Sequence, residues 1–329
     1  MNLIGKTVLV TLFALAVASA SIAADVKMKV TWNTADNPKD PYAITAHLWQ
    51  EKLNELMPDT FELQFFPNAQ IGDEKLALEG MRFGTIDAAL VTNAMIATIE
   101  PDFQVLDLPF LFKDEAMAHR VLDGQVGELL LSSLEDKGIV GLGFAEGGFR
   151  HMINNARPVA TPDDAQGIKF RVMQNPVFIG LFKSIGSNPV PISGAEAYAA
   201  TQQGTVDGLE LPLAVIESNG YDEVTKYLSL TRHTYSAIGV LMSKRFYDKL
   251  SEEQRAAVRE AALAAIAEER VATQKNAAET VKILEERGMT VNDIEDVKPF
   301  RKLVQPVYEE FRSEISPEVF DGAMSATSE

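Results

Sequence analysis

The stretch QGTVDGLE, residues 203–210, repeats in kind the stretch FGTIDAAL, residues 83–90. Each has a glycine, a threonine, a β-branched residue and an aspartate before an apolar run. Four matching residues carry little weight alone. Their surroundings match too. NAQIGDEKLALEGMRF (68–83) precedes the first copy and SGAEAYAATQ (193–202) the second, and both read as helices. Helix, glycine stop, then strand, twice over, predicts two lobes on one βα plan, and so an α/β protein with largely parallel sheets.

The rest of the chain fits that plan. VKMKVTWN (26–33) alternates and reads as a strand ending near Trp32 and Asn33; PYAITAHLWQEKLNELM (41–57) has helical spacing, with Pro41 in the first turn; FELQFFP (61–67) is a second alternating strand. GIVGLGFAEGGFRHMIN (138–154) and RHTYSAIGVLMSKRF (232–246) are strand-like and about 85 residues apart. A chain that leaves one lobe at the first and returns at the second crosses twice, which is the connectivity of a hinge. SEEQRAAVREAALAAIAEERVATQKNAAETVKILEERG (251–288) holds neither proline nor glycine before Gly288, and Ser251 with Gln254 forms a capping box. Its helix of about 36 residues spans roughly 54 Å, more than one small lobe. Its apolar positions are mostly alanine, which favours a brace across both lobes over a coiled-coil arm; a pair of helices with an unmarked break is the other reading.

The domain division expected is a signal peptide at 1–23, lobe I at 24–148 with 236–275, and lobe II at 149–235 with 276–329. Residues 1–23 carry one lysine, an apolar run from Val8 to Val17 and then small residues, the pattern of a cleaved secretory leader. Cleavage after Ala23 fits best, and after Ala20 next. The product is then exported, of roughly 305 residues, with no further apolar run able to span a bilayer. The 329-residue chain has no cysteine, so neither disulfides nor a lipidated N-terminal cysteine is available. Its formal charge is −17, and loss of Lys6 with the leader makes it −18. Such a surface argues against nucleic acid and anionic membranes. An anionic ligand must then be held by local cations against the average field.

The chemistry-bearing motifs are mostly missing. The four histidines, His47, His119, His151 and His233, show no ligand spacing and read as structural, so no metal is expected. There is no phosphate cradle and no nucleophile elbow, and no cofactor is implied. Two arginines stand in unusual places. Arg171 interrupts the apolar strand GIKFRVMQNP (167–176), and Arg150 follows the glycine pair of AEGGFRHMIN (145–154). On neighbouring strands of lobe II they could point into one cleft. A guanidinium fork matches a carboxylate in plane. The competing reading for each is an internal salt bridge, and for Arg171 the residues alone leave both open.

FPNAQIGDEKLALEGMRFGTIDAALV (66–91), VLDLPFLF (105–112), GIKFRVMQNP, QQGTVDGLE (202–210) and KYLSLTRHTYS (226–236), in this order, resemble the solute-binding proteins of tripartite ATP-independent periplasmic (TRAP) transporters, of the C4-dicarboxylate-binding type. The resemblance covers nearly the whole chain beyond the leader. It implies a two-lobed periplasmic binding protein fold with a hinge, two crossover strands and a long helix spanning both lobes. It matches Arg171 to the family's carboxylate-binding arginine and Arg150 to a second one nearby. Glu74 and Asn33 resemble ligand contacts from lobe I. One departure is plain: where the family often places an asparagine beside a proline, this chain has Leu211 in DGLELP.

The expected function is that of an extracytoplasmic receptor, monomeric and periplasmic, that binds a small organic acid and delivers it to integral membrane permease subunits. Arg171 takes the carboxylate and Arg150 a further oxygen; closure brings Asn33, Glu74 and Asn93 onto the remaining groups. Trp32 and Phe149 wall the cleft, and His233, in the last motif, joins the cleft candidates. With few further cations, a hydroxylated monocarboxylate such as a sugar acid is favoured, with a C4-dicarboxylate or a 2-keto acid as alternatives. The rival class is a periplasmic lyase or isomerase of acidic sugars, using Glu74 or Glu210 as acid or base; a sensor adaptor is a third.

Overall fold

A computed structural model describes residues 25–328; the expected leader at 1–23 lies outside them. Among the described residues there are nine strands: β1 (Val26–Thr31), β2 (Phe61–Phe66), β3 (Ala88–Thr92), β4 (Ile139–Asn154), β5 (Lys169–Val172), β6 (Asn188–Pro191), β7 (Gly208–Pro212), β8 (Tyr227–Ser243) and β9 (Thr290–Asp293). They run in the order β2-β1-β3-β8-β4-β7-β5-β6, with β9 on the side of β8. The outer strands β2-β1-β3 and β7-β5-β6 are parallel among themselves, and the central β4 and β8 run antiparallel to their neighbours β3 and β7.

The repeated motif explains this arrangement. In the first copy, Gly84 ends the helix Glu74–Phe83 in the left-handed conformation (φ 79°), and the Asp87 carboxylate accepts the Lys29 N–H at 2.9 Å. In the second, Gly204 takes φ 69°, and Asp207 accepts the Lys169 N–H at 2.9 Å. Each aspartate thus fastens the adjoining parallel strand, β1 at Lys29 and β5 at its first residue, and holds its register.

β4 and β8 are the two crossovers. Residues 139–145 of β4 pair with 238–243 of β8 beside β3, whereas 150–154 pair with β7 and with the start of β8. Between them the register breaks from Glu146 to Gly148, where Gly148 has φ +88°. A bulge with a left-handed glycine bends a strand sharply, and here it lies where the two lobes meet.

The long helix is a single element, Glu252–Glu286, with both halves of its capping box formed. Its 35 residues span about 52 Å. Val258, Ala261, Ala262 and Ala265 join Trp49 and Leu53 in one apolar cluster, and Leu284 joins Leu209 and Ile216 in another. Small side chains let the helix lie close over both halves of the sheet, as a brace. A third cluster runs from Phe103 and Val121 to Phe170 and Phe311, so the lobes also share a core. No helix among the described residues is long and apolar enough to cross a membrane.

Two expectations need correction. Arg150 and Arg171 are not on neighbouring strands, because β7 is inserted between β4 and β5. Nor does the 276–329 segment stay wholly with lobe II. The last helix, Pro317–Thr327, packs on the helices Glu115–Leu122 and Gln125–Ser133. It is held there by Asp102, which accepts both the Ser316 N–H and its hydroxyl at 2.7 Å.

Candidate ligand-binding site

Where the sheet halves meet, side chains from both converge on a cavity of about 70 Å³. Arg171 reaches it from β5 and is 3% exposed. Its Nε donates to the Ile192 carbonyl at 2.8 Å, which fixes the plane of the guanidinium. Its two terminal nitrogens make no ion pair or hydrogen bond among the described residues. Burial holds the group below the ordinary arginine value, against the opposing charge of Glu210.

Arg150 is differently placed. Its Nε pairs with Glu210 Oε2, and its Nη2 donates to Glu210 Oε1 at 2.9 Å and to the Glu210 carbonyl at 2.7 Å. Nη1 lies 3.4 Å from Ser236 Oγ, and the group sits over the Phe178 ring. Glu210 also meets His233 Nε2 at 3.3 Å. Burial alone would raise Glu210, but Arg150 and His233 outweigh it and hold the carboxyl below its ordinary value. The internal salt bridge open for both arginines is therefore formed by Arg150. Of the two cations, only Arg171 is left unpaired.

Glu74 opens its helix beneath the cavity and accepts the Thr92 N–H at 2.8 Å. Burial pushes its carboxyl up to about 7, although that hydrogen bond, Arg171 and Arg150 oppose the shift. Two further oxygens in the wall, Asn33 Oδ1 and Thr92 Oγ1, are buried without a partner among the described residues.

Of the nine sequence candidates, Arg171, Arg150, Glu74, Asn33 and Leu211 line this cavity. Four do not. Trp32 is buried and packs edge-on to Phe65 at 5.7 Å. Phe149 packs on Tyr235 and borders a separate space of about 330 Å³. Phe149 precedes Arg150 by one position in β4, and alternation sends it to the other face; Trp32 lies just past the end of β1, before the bend at Asn33. Asn93 donates to Asp107 Oδ1 at 2.6 Å and accepts the Ala237 N–H at 3.1 Å. His233 lies behind Arg150, with Nδ1 on Thr231 Oγ1 at 2.7 Å. Tyr42, Gly194, Asn219 and Tyr221 also line the wall and are not among the sequence candidates. Gly194 belongs to the repeat helix and Tyr42 to the first turn of the helix Pro41–Leu56, whereas Asn219 and Tyr221 come from a turn where no periodic pattern marks them.

Gly194 carries a prediction. It starts the lobe II helix Gly194–Gln202, and a Cβ there would sit 2.2 Å from Asn33 Nδ2 of lobe I and 3.9 Å from an Arg171 amino nitrogen. Gly194→Ala is expected to weaken ligand binding about tenfold or more by pushing Asn33 aside, with the ligand-free melting temperature unchanged. Titration calorimetry with melting curves checks both; wild-type affinity would show that Asn33 yields freely.

Residues 32–314 match the model for bacterial extracellular solute-binding protein, family 7. A solute-binding protein of Verminephrobacter eiseniae is 36% identical over 93% of this chain and 91% of its own. The crystal structure of a sugar acid binding protein from Advenella mimigardefordensis, in complex with galactonate, superposes with a TM-score of 0.89 at 32% identity, over 93% of this chain and 98% of that one. A TRAP periplasmic solute-binding protein from Sulfurospirillum deleyianum with bound succinate gives 0.87 at 28% identity, over 92% and 99%. The match extends over most of the chain, and the proteins it joins bind solutes for transporters and are not enzymes. The chain belongs to the bacterial extracellular solute-binding protein family 7, the receptors of TRAP transporters.

Proposed function

We propose that this receptor binds a hydroxylated monocarboxylate of the sugar-acid type in the periplasm and hands it to the membrane permease. The observation that carries the reading is the unequal state of the two arginines. Arg150 is neutralised by Glu210, so the cavity offers one unpaired cation, the Arg171 fork. One fork takes one carboxylate. A second carboxylate would lie among Glu74, Asn33 and Tyr42 with no further cation. Hydroxyl groups suit that wall, since Asn33 Oδ1 and Thr92 Oγ1 have hydrogen-bonding capacity to spare. Leu211 leaves one side apolar.

Binding then proceeds by lobe closure. The lobes divide at 148/149 on β4 and 235/236 on β8, and the bulge at Glu146–Gly148 takes up the rotation. The ligand shifts the open–closed equilibrium, and the permease reads the closed form. Glu210 is committed to Arg150 and His233, which removes it from acid–base work.

A thermal-shift screen of sugar acids, C4-dicarboxylates and 2-keto acids tests the reading. Stabilisation by D-galactonate or a similar aldonate is expected. Stabilisation by succinate or malate alone would overturn it.

The reading also fixes a pH dependence. An arriving anion raises the Glu74 pKa further above about 7, so binding takes up a proton. Affinity then falls as pH rises, by up to tenfold per pH unit between the open-state and the bound-state pKa of Glu74. Glu74→Gln should flatten the curve between pH 7 and 9. A wild-type affinity that rises with pH there would contradict the assignment.

A further inference from the structure

Beside the cavity, hydrogen bonds centred on Asp40, which is not in its wall, join the two lobes. Asp40 is fully buried and caps the lobe I helix Pro41–Leu56. Its two oxygens divide their partners by lobe. Oδ1 accepts the Thr34 hydroxyl at 2.7 Å and the Tyr42 N–H at 3.0 Å, both in lobe I. Oδ2 accepts the Ser218 hydroxyl at 3.0 Å and the Asn219 amide at 2.9 Å, both at the end of the lobe II helix Leu213–Ser218. Asn219 replies with its own oxygen, which accepts the Ala35 N–H at 2.9 Å. Beside this pair, Lys39 reaches the buried Glu217 at 2.6 Å.

We infer that Asp40, with Ser218 and Asn219, is a closing latch that sets how long the acid stays bound, with Asp40 and Ser218 standing outside the cavity wall. The reasoning follows from which bonds survive opening. The Oδ1 bonds lie within one lobe and persist in either state. The Oδ2 bonds exist only when the lobes meet; on separation that oxygen and both donors return to water. A carboxylate with four donors has its acceptor sites filled, and bonds to a charged acceptor are the stronger kind. Asn219 also lines the cavity, so the latch and the ligand wall share a residue and engage together. A latch formed after capture acts on release and not on encounter.

The inference rests on the closing receptor described above, and its test separates the two. Asp40→Asn retains a capping oxygen for the helix but turns an amide group toward the lobe II donors. Stopped-flow measurement with D-galactonate should give a dissociation rate about tenfold or more above wild type. The association rate should stay within about threefold and the ligand-free melting temperature unchanged. Ser218→Ala, which removes one hydroxyl outside the cavity, should raise dissociation by about threefold. Combined with Asp40→Asn it should add less than its separate effect, because the two share one bond. If Asp40→Asn does not fold, Ser218→Ala decides alone. Unchanged dissociation in the variants, or a loss confined to association, overturns the latch. Failure of the wild type to bind D-galactonate or any other aldonate overturns the sugar-acid reading instead, and the same rates with succinate then decide the latch. Binding of neither acid removes the basis of both.

Discussion

Arg171→Ala is expected to reduce ligand binding by about a hundredfold or more while leaving the protein folded. Arg171 is buried, fixed by one bond to the Ile192 carbonyl, and free at its two terminal nitrogens. A bidentate carboxylate contact supplies two charge-assisted hydrogen bonds, each worth about 1.5–3 kcal/mol. Their loss together is about 3–6 kcal/mol, and each 1.4 kcal/mol is a factor of ten. The ligand-free protein should lose little stability, since no internal ion pair is broken and an unpaired buried cation is removed. Arg171→Lys should bind nearly as poorly, because a point charge cannot reproduce the fork. Calorimetric titration beside melting curves reads both quantities. An unfolded Arg171→Ala protein whose residual folded fraction still binds would make Arg171 structural.

Glu210→Ala is expected to do the reverse to stability. Glu210 is wholly buried against Arg150 and His233. Removing it strands the Arg150 guanidinium in the interior, and breaking one partner of such a pair costs about 3–5 kcal/mol. For a chain of this size the melting temperature should fall by roughly 5–10 °C, less per kcal/mol than in small domains. Urea unfolding, with its midpoint lowered and slope unchanged, is the check. Glu210→Gln keeps the shape and loses the charge, so it should fall between. A Glu210→Ala protein as stable as wild type would mean that water or a side-chain shift satisfies Arg150. The two arginines, alike in composition and both in the cavity wall, thus separate by assay: one governs binding and the other the frame.

Much of the fold was legible because its main signals are local. Gly84 and Gly204 stop helices, and Asp87 and Asp207 follow three residues later to fasten the next parallel strand, so one short motif carries a whole βα unit twice. The long helix showed itself by lacking any breaker between Ser251 and Gly288. Arg171 was legible as a fixed charge inside an apolar strand. The state of Arg150 was not, since its partner Glu210 stands 60 residues away, on the strand inserted between the two arginines. Strand order is a long-range property that no window of sequence contains. Some errors were avoidable. Strict alternation along β4 places Phe149 opposite to Arg150, and only Arg150 lines the cavity. Asn219 and Tyr221 reach the wall from the turn after a short helix, and the latch at Asp40 joins segments nearly 180 residues apart; neither leaves a periodic trace.

The most direct test is a crystal structure of the protein with D-galactonate bound. Both carboxylate oxygens should lie about 3 Å from the terminal nitrogens of Arg171, with Arg150 still paired to Glu210. A carboxylate held by Arg150 with Glu210 displaced, or one that makes no contact with Arg171, would contradict the assignment of Arg171 as the anchor of the site.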